Sequence, residues 1–503
     1  MQAGIYPVHR ASWDLYNFAP AIPSERATLL ASGRLPWWSA PDIKLAMLRP
    51  ISSLLLNFDT QVLRVDAHPE RAHWHSLAWW IALVAGVSAL VRKLMPPVPA
   101  ILAITIFASD DSHTYPVAWI ANRAELVALT FAVWSIDQHV RAQDGRRQRR
   151  RYLAWLLMGL ALLSGEYALV TLPLLAALQL GQGTPLGVCA RRLLPYALVA
   201  CGYVVGRSLL GYGVAGSEYY VDPMSEPLRY LGATIERVPL LIGDLVFGLS
   251  AEWWLWGTPW RSWLTDWLQP ERVDAWEKAL LLTGSLAAGA VWAMVMRSLM
   301  RSGSARAASK VGWLLLGALG SLLVLSGTAP MTRLTVAPGI AVDAAAGFLL
   351  WRRTRIVSSP TAPAMRRWAA LLGSLVVVML QIVRPGMASF EGSQAIRYAS
   401  RTELAWIRAA QIGTATTAGK SVFVVSARDM ASQFCLPYVL HYLHRPLPAA
   451  THLLSPASDS EHILVRTAVD QLDLIVPKSR AQHWPFGPAV YRRTDLRFET
   501  GRW

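Results

Sequence analysis

Short arginine-rich loops recur between apolar stretches of this chain, and that alternation restricts what it can fold into more than any other feature. The densest loop is Arg141-Ala-Gln-Asp-Gly-Arg-Arg-Gln-Arg-Arg-Arg151. Short loops rich in Lys and Arg stay on the cytoplasmic side of a membrane, so this run fixes one side. One apolar segment away lies a polar cluster, Ser109-Asp-Asp-Ser-His-Thr-Tyr115. It must then face the other side, close to the membrane surface. Two adjacent carboxylates and an imidazole at a helix end are costly to keep there without a role. The pattern implies a membrane enzyme or transporter with its chemistry on the outer face.

Composition supports the membrane reading. Of 503 residues 53% are hydrophobic and only 16% are charged, too apolar for an ordinary soluble chain of this length. The 23 tryptophans suit a protein with indoles at the lipid interface. A net charge of +16 would otherwise suggest nucleic acid, but much of it sits in short loops between apolar segments. It reads as topology and lipid-headgroup contact, and no nucleic-acid partner is expected. Cys189, Cys201 and Cys435 are too far apart to form a disulfide framework or a metal motif. The N-terminal residues lack the apolar core of a signal peptide.

With charge as the compass, residues 75–94, 97–109, 123–140, 152–165, 167–181, 193–213, 278–298, 311–328, 335–351 and 368–384 alternate in direction, giving about ten spans. Residues 237–251 are apolar enough to span, but parity keeps 214–276 outside, so 237–256 is expected to be interfacial or re-entrant. The expected domains are 1–72, an extracytoplasmic segment with an interfacial helix; 73–384, the multi-span membrane domain; and 385–503, an extracytoplasmic domain. In the last, 390–413 reads as a helical connector, and the runs Ser421–Val425, His462–Arg466 and Leu472–Val476 read as strands. The fold class is therefore an all-α polytopic membrane protein with a small extracytoplasmic α+β or β-rich C-terminal domain.

Several pieces, in order, resemble the GT-C superfamily of membrane glycosyltransferases, in particular the membrane half of the tetratricopeptide-linked protein O-mannosyltransferases and their bacterial relatives. Leu48-Arg-Pro-Ile-Ser-Ser-Leu54 resembles their Arg-Pro-Leu interfacial helix. His73-Trp-His75 resembles the start of their next span. Phe107 through Asp110, Asp111, His113 and Val117-Ala-Trp-Ile120 to Arg123 and Glu125 resembles their "Phe…His-Pro…Val-Ala-Trp-Ile…Arg" block. Leu163-Ser-Gly-Glu166 resembles Leu-Ser-Lys-Glu, and Pro330-Met-Thr-Arg333 with Pro338-Gly339 resembles the arginine loop near the lipid phosphate. The match covers about residues 40–350. Two features depart from the pattern. The superfamily's main carboxylate follows a first membrane helix that has no counterpart here, leaving only Asp14 and Asp42 there; a missing upstream segment is the simplest account, and a long N-terminal tail translocated by the following span is the competing one. The family lysine is replaced by Gly165, removing one expected phosphate contact.

The resemblance implies a GT-C-like fold and transfer of a sugar from a polyprenyl-phosphate donor to a protein or glycan acceptor on the outer face of a bacterial inner membrane. The chemistry needs a carboxylate to take the acceptor proton and cations to stabilise the departing phosphate. Asp110 or Asp111 could act as that base or as a metal ligand; Arg123 and Arg333 could bind the phosphate. Glu125 or Glu166 could orient an arginine, and His73, His75 and His113 could assist. Each has a plainer reading. Asp110 and Asp111 could cap the following helix; Arg123 and Glu125 could be a buried structural pair; Glu166 could cap the helix from 167; the histidines could be interfacial. No metal site is identified, and the sequence leaves open whether transfer needs no cofactor or a divalent cation. A lipid-glycan transporter or flippase, and a non-catalytic membrane scaffold, remain as alternatives.

Overall fold

In the computed structural model, the described residues are 16–19, 23–33, 35, 39, 42–65, 67–143, 148–217, 219–258, 270–301, 306–426, 436, 439–440, 443–455, 463–468, 471–475 and 495–499. Asp14, Cys435, His462, Val476, Pro259 and Trp260, and parts of the two basic loops (144–147 and 302–305), lie outside them.

In chain order the elements are β1 (Asn17–Ala19), α1 (Pro23–Ala31), β2 (Lys44–Ala46), α2 (Pro50–Gln61), α3 (Glu70–Leu94), α4 (Pro97–Ser109), α5 (Thr114–Ala118), α6 (Arg123–Gln143), α7 (Gln148–Ser164), α8 (Thr171–Gly181) and α9 (Leu186–Leu209). Next come β3 (Gly213–Ala215), α10 (Pro227–Phe247), α11 (Trp253–Trp256), α12 (Pro270–Met300), α13 (Arg306–Leu325), α14 (Val336–Val357), α15 (Ala364–Val378) and α16 (Arg384–Ala409). Strands β4 (Ser421–Ser426), β5 (Ala450–Ser455), β6 (Ile463–Ala468), β7 (Gln471–Ile475) and β8 (Asp495–Glu499) close the chain. The protein is all-α and multi-pass, with small sheets, as the sequence implies.

Among the described residues six helices are long and apolar enough to cross a membrane: Glu70–Leu94, Leu186–Leu209, Arg272–Met300, Ala307–Leu325, Thr332–Val357 and Ala364–Ala409. A seventh is reached if Asp111–Ala118 and Ile120–Gln143, bent by 105° at Trp119, count as one. The expected count of about ten is higher because it gave full spans to short apolar helices such as Pro97–Ser109 and Glu166–Gly181. A second difference concerns the last expected span, 368–384, and the expected connector, 390–413, which the sequence pattern predicts as separate helices. The helix instead continues from Ala364 to Ala409 through a π turn at Met379–Val383. Pro385 lacks an N–H and would clash with the carbonyl four residues back in an unbroken α-helix. The widened turn, in which the Arg384 N–H donates to the Met379 carbonyl, absorbs that conflict. The segment expected at the interface is α10, a turn and α11; α10 is not among the apolar crossing helices.

The chain divides into two compact units. One comprises His73–Gly206 and Leu228–Gln394. In it α6 packs along α7, α14 on α4, α13 and α15, and α8 on α13. Glycines permit backbone approach: a Cβ at Gly347 would fall 2.5 Å from the Ala103 nitrogen on α4, and one at Gly317 would fall 2.7 Å from the Ala177 Cβ on α8. At the basic ends of the helices, Asp137 on α6 is gripped by Lys93 of α3 and by Arg141. There His139, Tyr196, Gln179 and Arg192 join α6, α8 and α9 in a hydrogen-bonded group. The other unit comprises Met1–Ala72, Arg207–Pro227 and Ala395–Trp503. It holds the antiparallel sheet β1-β2-β3, the parallel pair β4-β5 and the antiparallel sheet β6-β7-β8. The Arg49 guanidinium lies 5.1 Å over the Tyr16 ring there, at the head of α2, whose first residue, Pro50, suits a helix start.

Candidate functional site

The polar cluster forms a tight connection between α4 and α5. Asp110 ends α4, and its side chain accepts a hydrogen bond from the Ser112 N–H at 2.9 Å, capping the 3-10 turn Asp111–His113. The two adjacent carboxylates therefore part company: Asp110 turns back to the backbone and Asp111 turns inward. Arg384, the first residue of α16, donates to both Asp111 oxygens, at 3.0 and 3.1 Å. The same guanidinium reaches the Gly248 carbonyl at 3.3 Å. This fork-on-fork pairing is the strong geometry for guanidinium and carboxylate.

Further acids surround the pair. Asp244, near the end of α10, is buried, accepts from the Ala251 N–H at 3.1 Å and is in electrostatic range of Asp111 and Arg384. Glu252 follows in the next turn, where it feels both Arg333 and Asp111. Asp343 of α14 is buried, within electrostatic range of Asp110 and Asp111. Ser250 and Thr332, 3.2 Å apart through their hydroxyls, tie the loop after α10 to the turn that precedes α14.

Crowding has a titration consequence in these connections. Burial first, and then the neighbouring Asp110, push the Asp111 carboxyl up to about 7, against the opposing pull of Arg384. Burial likewise lifts Glu252 to about 7, opposed by Arg333. A carboxylate that titrates near neutrality is suited to taking a proton at physiological pH.

The second group centres on Arg333, in the turn Thr332–Thr335 before α14. It is 4% exposed, donates to the Tyr167 hydroxyl at 2.7 Å and stands 3.5 Å from Glu125. Glu125 is thus placed against Arg333. Arg123 instead donates to the Ser76 hydroxyl at 2.9 Å and lies 2.9 Å from His75 Nδ1, whose Nε2 faces the Trp79 indole N–H at 3.0 Å. His113 is buried against Phe107, with Nδ1 3.1 Å from the Asp110 carbonyl, so that nitrogen carries the proton. Glu166 is half-buried at the start of the 3-10 turn Glu166–Val170, and His73 is half-buried on α3; neither is joined to Asp111 by a described contact.

Gly165, where the resembling family carries lysine, has a local reason. A Cβ there would fall 3.1 Å from the Tyr167 ring, the ring that holds Arg333. Sequence reasoning missed Arg384, Asp244, Glu252, Asp343 and Tyr167. Among the described residues no group of three or more His, Cys, Asp or Glu side chains is arranged to hold a metal ion.

No protein-family profile matches the chain, and no curated protein matches it in sequence. Among solved structures it is similar to ArnT from Cupriavidus metallidurans bound to undecaprenyl phosphate, with 14% identity and a TM-score of 0.41 over 89% of this chain and 82% of that one. It is also similar to the Archaeoglobus fulgidus oligosaccharyltransferase tethered to an acceptor peptide containing the NVT sequon, with 10% identity and a TM-score of 0.41 over 90% of this chain. The chain spans 62% of that archaeal protein, less than two thirds of its length. At 10% and 14% identity neither likeness carries a residue's role or an activity to this chain, and the site is read from its own geometry.

Proposed function

We propose that this protein transfers a sugar from a polyprenyl-phosphate donor to a protein or glycan acceptor, at the membrane face opposite its arginine-rich loops. The observation that carries the reading is Asp111: a buried carboxyl lifted to about 7, set among further acids and clamped by an arginine, at the helix ends opposite the basic loops. In the transfer, Asp111 takes the acceptor hydroxyl's proton as the acceptor oxygen bonds to the anomeric carbon. The bond from that carbon to the phosphate oxygen breaks, and its electron pair leaves with the polyprenyl phosphate. Arg333, with Arg123, stabilises the charge gained by the phosphate. Glu125 and Tyr167 fix the direction of Arg333.

Transport and scaffolding draw less support, because the inward-facing acids gather with Arg333 and Arg384 at one end of the helices. The test is sugar transfer in membrane vesicles from a labelled polyprenyl-phosphate sugar pool. Transfer by the wild type, lost in Asp111→Asn and Arg333→Ala, supports the reading. No transfer by the wild type across several donors refutes it.

A further inference from the structure

Arg384 enters the site by an unusual route. The π turn at Met379–Val383 sets it at the head of α16, and Gly248 leaves the space it fills: a Cβ at Gly248 would fall 2.1 Å from the Arg384 Nε. Helix widenings of this kind concentrate at functional positions.

Of the three arginines at the site, Arg123 and Arg333 are buried and Arg384 is the accessible one. Its side chain is 27% exposed, whereas that of Arg333 is 4% exposed and enclosed by Glu125 and Tyr167. The Arg384 Nε is buried with no hydrogen-bond partner among the described residues, so the fork has a donor to spare. Val383 and Met387, one residue before and three after Arg384, are exposed apolar side chains on the same helix, at 41% and 61%. A ligand with an anionic head and an apolar tail could place its head on Arg384 and its tail along that face.

Asp111 has the opposite problem. Both of its oxygens are committed to the guanidinium. A carboxylate held in that fork presents its best acceptor geometry to arginine and not to an incoming hydroxyl.

Resting on the function proposed above, we propose that Arg384 is a shared cation: it clamps Asp111 while the site is empty, and turns to the phosphate of an arriving lipid-linked ligand, freeing the carboxylate to accept a proton. The ligand's phosphate and Asp111 thus compete for one guanidinium. Binding the donor uncovers the base, so the proton acceptor becomes available only when there is a sugar to transfer. Asp110, Asp244 and Glu252 lie within electrostatic range of Asp111, so its charged form depends on Arg384 while the site is empty.

Competition has a signature that a structural ion pair lacks. The full-length protein, purified in nanodiscs, is titrated with undecaprenyl phosphate, and with undecaprenol as the uncharged control, by native mass spectrometry. Arg384→Gln is expected to weaken phosphate binding about tenfold or more, the loss of a charge-assisted fork. Asp111→Asn, which removes the competing charge, is expected to bind the phosphate about three- to tenfold more tightly. Undecaprenol binding should not change in either variant. Unchanged or weaker phosphate binding by Asp111→Asn overturns the proposal, and that arm holds even if Arg384→Gln fails to fold. Wild-type affinity in Arg384→Gln also overturns it. If only Arg333→Ala loses phosphate binding, the donor reading stands and the shared cation falls. If the wild type does not prefer undecaprenyl phosphate to undecaprenol, both fall.

Discussion

Gly248→Ala tests the site without touching an acid or an arginine. Gly248 has φ +67°, a left-handed conformation that costs an alanine roughly 1–2 kcal/mol. The added Cβ would stand 2.1 Å from Nε, 2.2 Å from Cζ and 2.3 Å from Cδ of Arg384. Backbone cannot yield at such distances but a side chain can, so Arg384 is the group that moves. It then leaves the Gly248 carbonyl and both oxygens of Asp111. Hydrogen bonds to charged groups contribute about 1.5–3 kcal/mol each, and the freed carboxyl recovers part of the loss by taking up a proton. A net destabilisation of about 3–4 kcal/mol is expected. Because Arg384 no longer opposes burial, the titration of Asp111 moves above 7, and transfer at neutral pH falls about tenfold. The assay is thermal unfolding in detergent together with sugar transfer between pH 6 and about 9 in vesicles. The control is Gly202→Ala, on an exposed face of α9 where a Cβ meets nothing within 4 Å; it should be neutral or slightly stabilising. If Gly248→Ala matches that control in melting and in pH profile, the placement of Arg384 against Asp111 is wrong.

Three further outcomes follow from other parts of the structure. Asp111 and Glu252 titrate near 7 when folded, against ordinary values of 3.8 and 4.5. The folded state therefore holds more protons between those limits, so melting temperature should fall as pH rises from about 5 to 8 while transfer rises, and Asp111→Asn should flatten the melting profile. Asp137→Ala leaves Lys93 and Arg141 facing each other without their fully buried carboxylate; it should cost about 3 kcal/mol of stability, read by thermal unfolding, while transfer per folded molecule stays at the wild-type level. Gly33→Ala puts a Cβ 1.9 Å from the Thr451 carbonyl oxygen at a position with φ +72°, and should destabilise the unit that holds β5 by about 2–4 kcal/mol, detected as faster proteolysis of that unit.

What the sequence made legible was the part written in short-range pattern. The helices announce themselves through apolar runs and the arginines that end them. Asp111 and Arg333 stand out as charges where topology makes charge expensive, and both are turned inward at one end of the bundle. The choice between capping and chemistry for the Asp110–Asp111 pair could not be made from types alone. It depends on which carboxylate meets the Ser112 N–H, a matter of local backbone angles. Arg384 was hidden for the opposite reason. It sits at the end of an apolar run, where arginine ordinarily marks a membrane boundary, and only tertiary packing brings it to Asp111 across 273 residues of chain. Asp244 and Glu252 were masked by an aromatic, half-apolar segment that reads as an interface anchor, and Asp343 by the apolar run around it.

The π turn makes the site sensitive to helical phase. Each residue of an α-helix advances the side chain by about 100° around the axis. The widened turn at Met379–Val383 amounts to one residue beyond what a regular α-helix would use, and the direction of Arg384 depends on that surplus. Closing the turn as ordinary α-helix with all of its residues kept would swing Arg384 by about 100°, away from Asp111. Pro385 would then return to conflict with the carbonyl four residues before it, bending the helix just where the arginine departs. An arginine-for-arginine comparison with another chain would register no loss, yet a regular α-helix of the same length at this point would have disarmed the pair. Where this site is inherited, the length of that turn is as much a part of it as the charges it delivers.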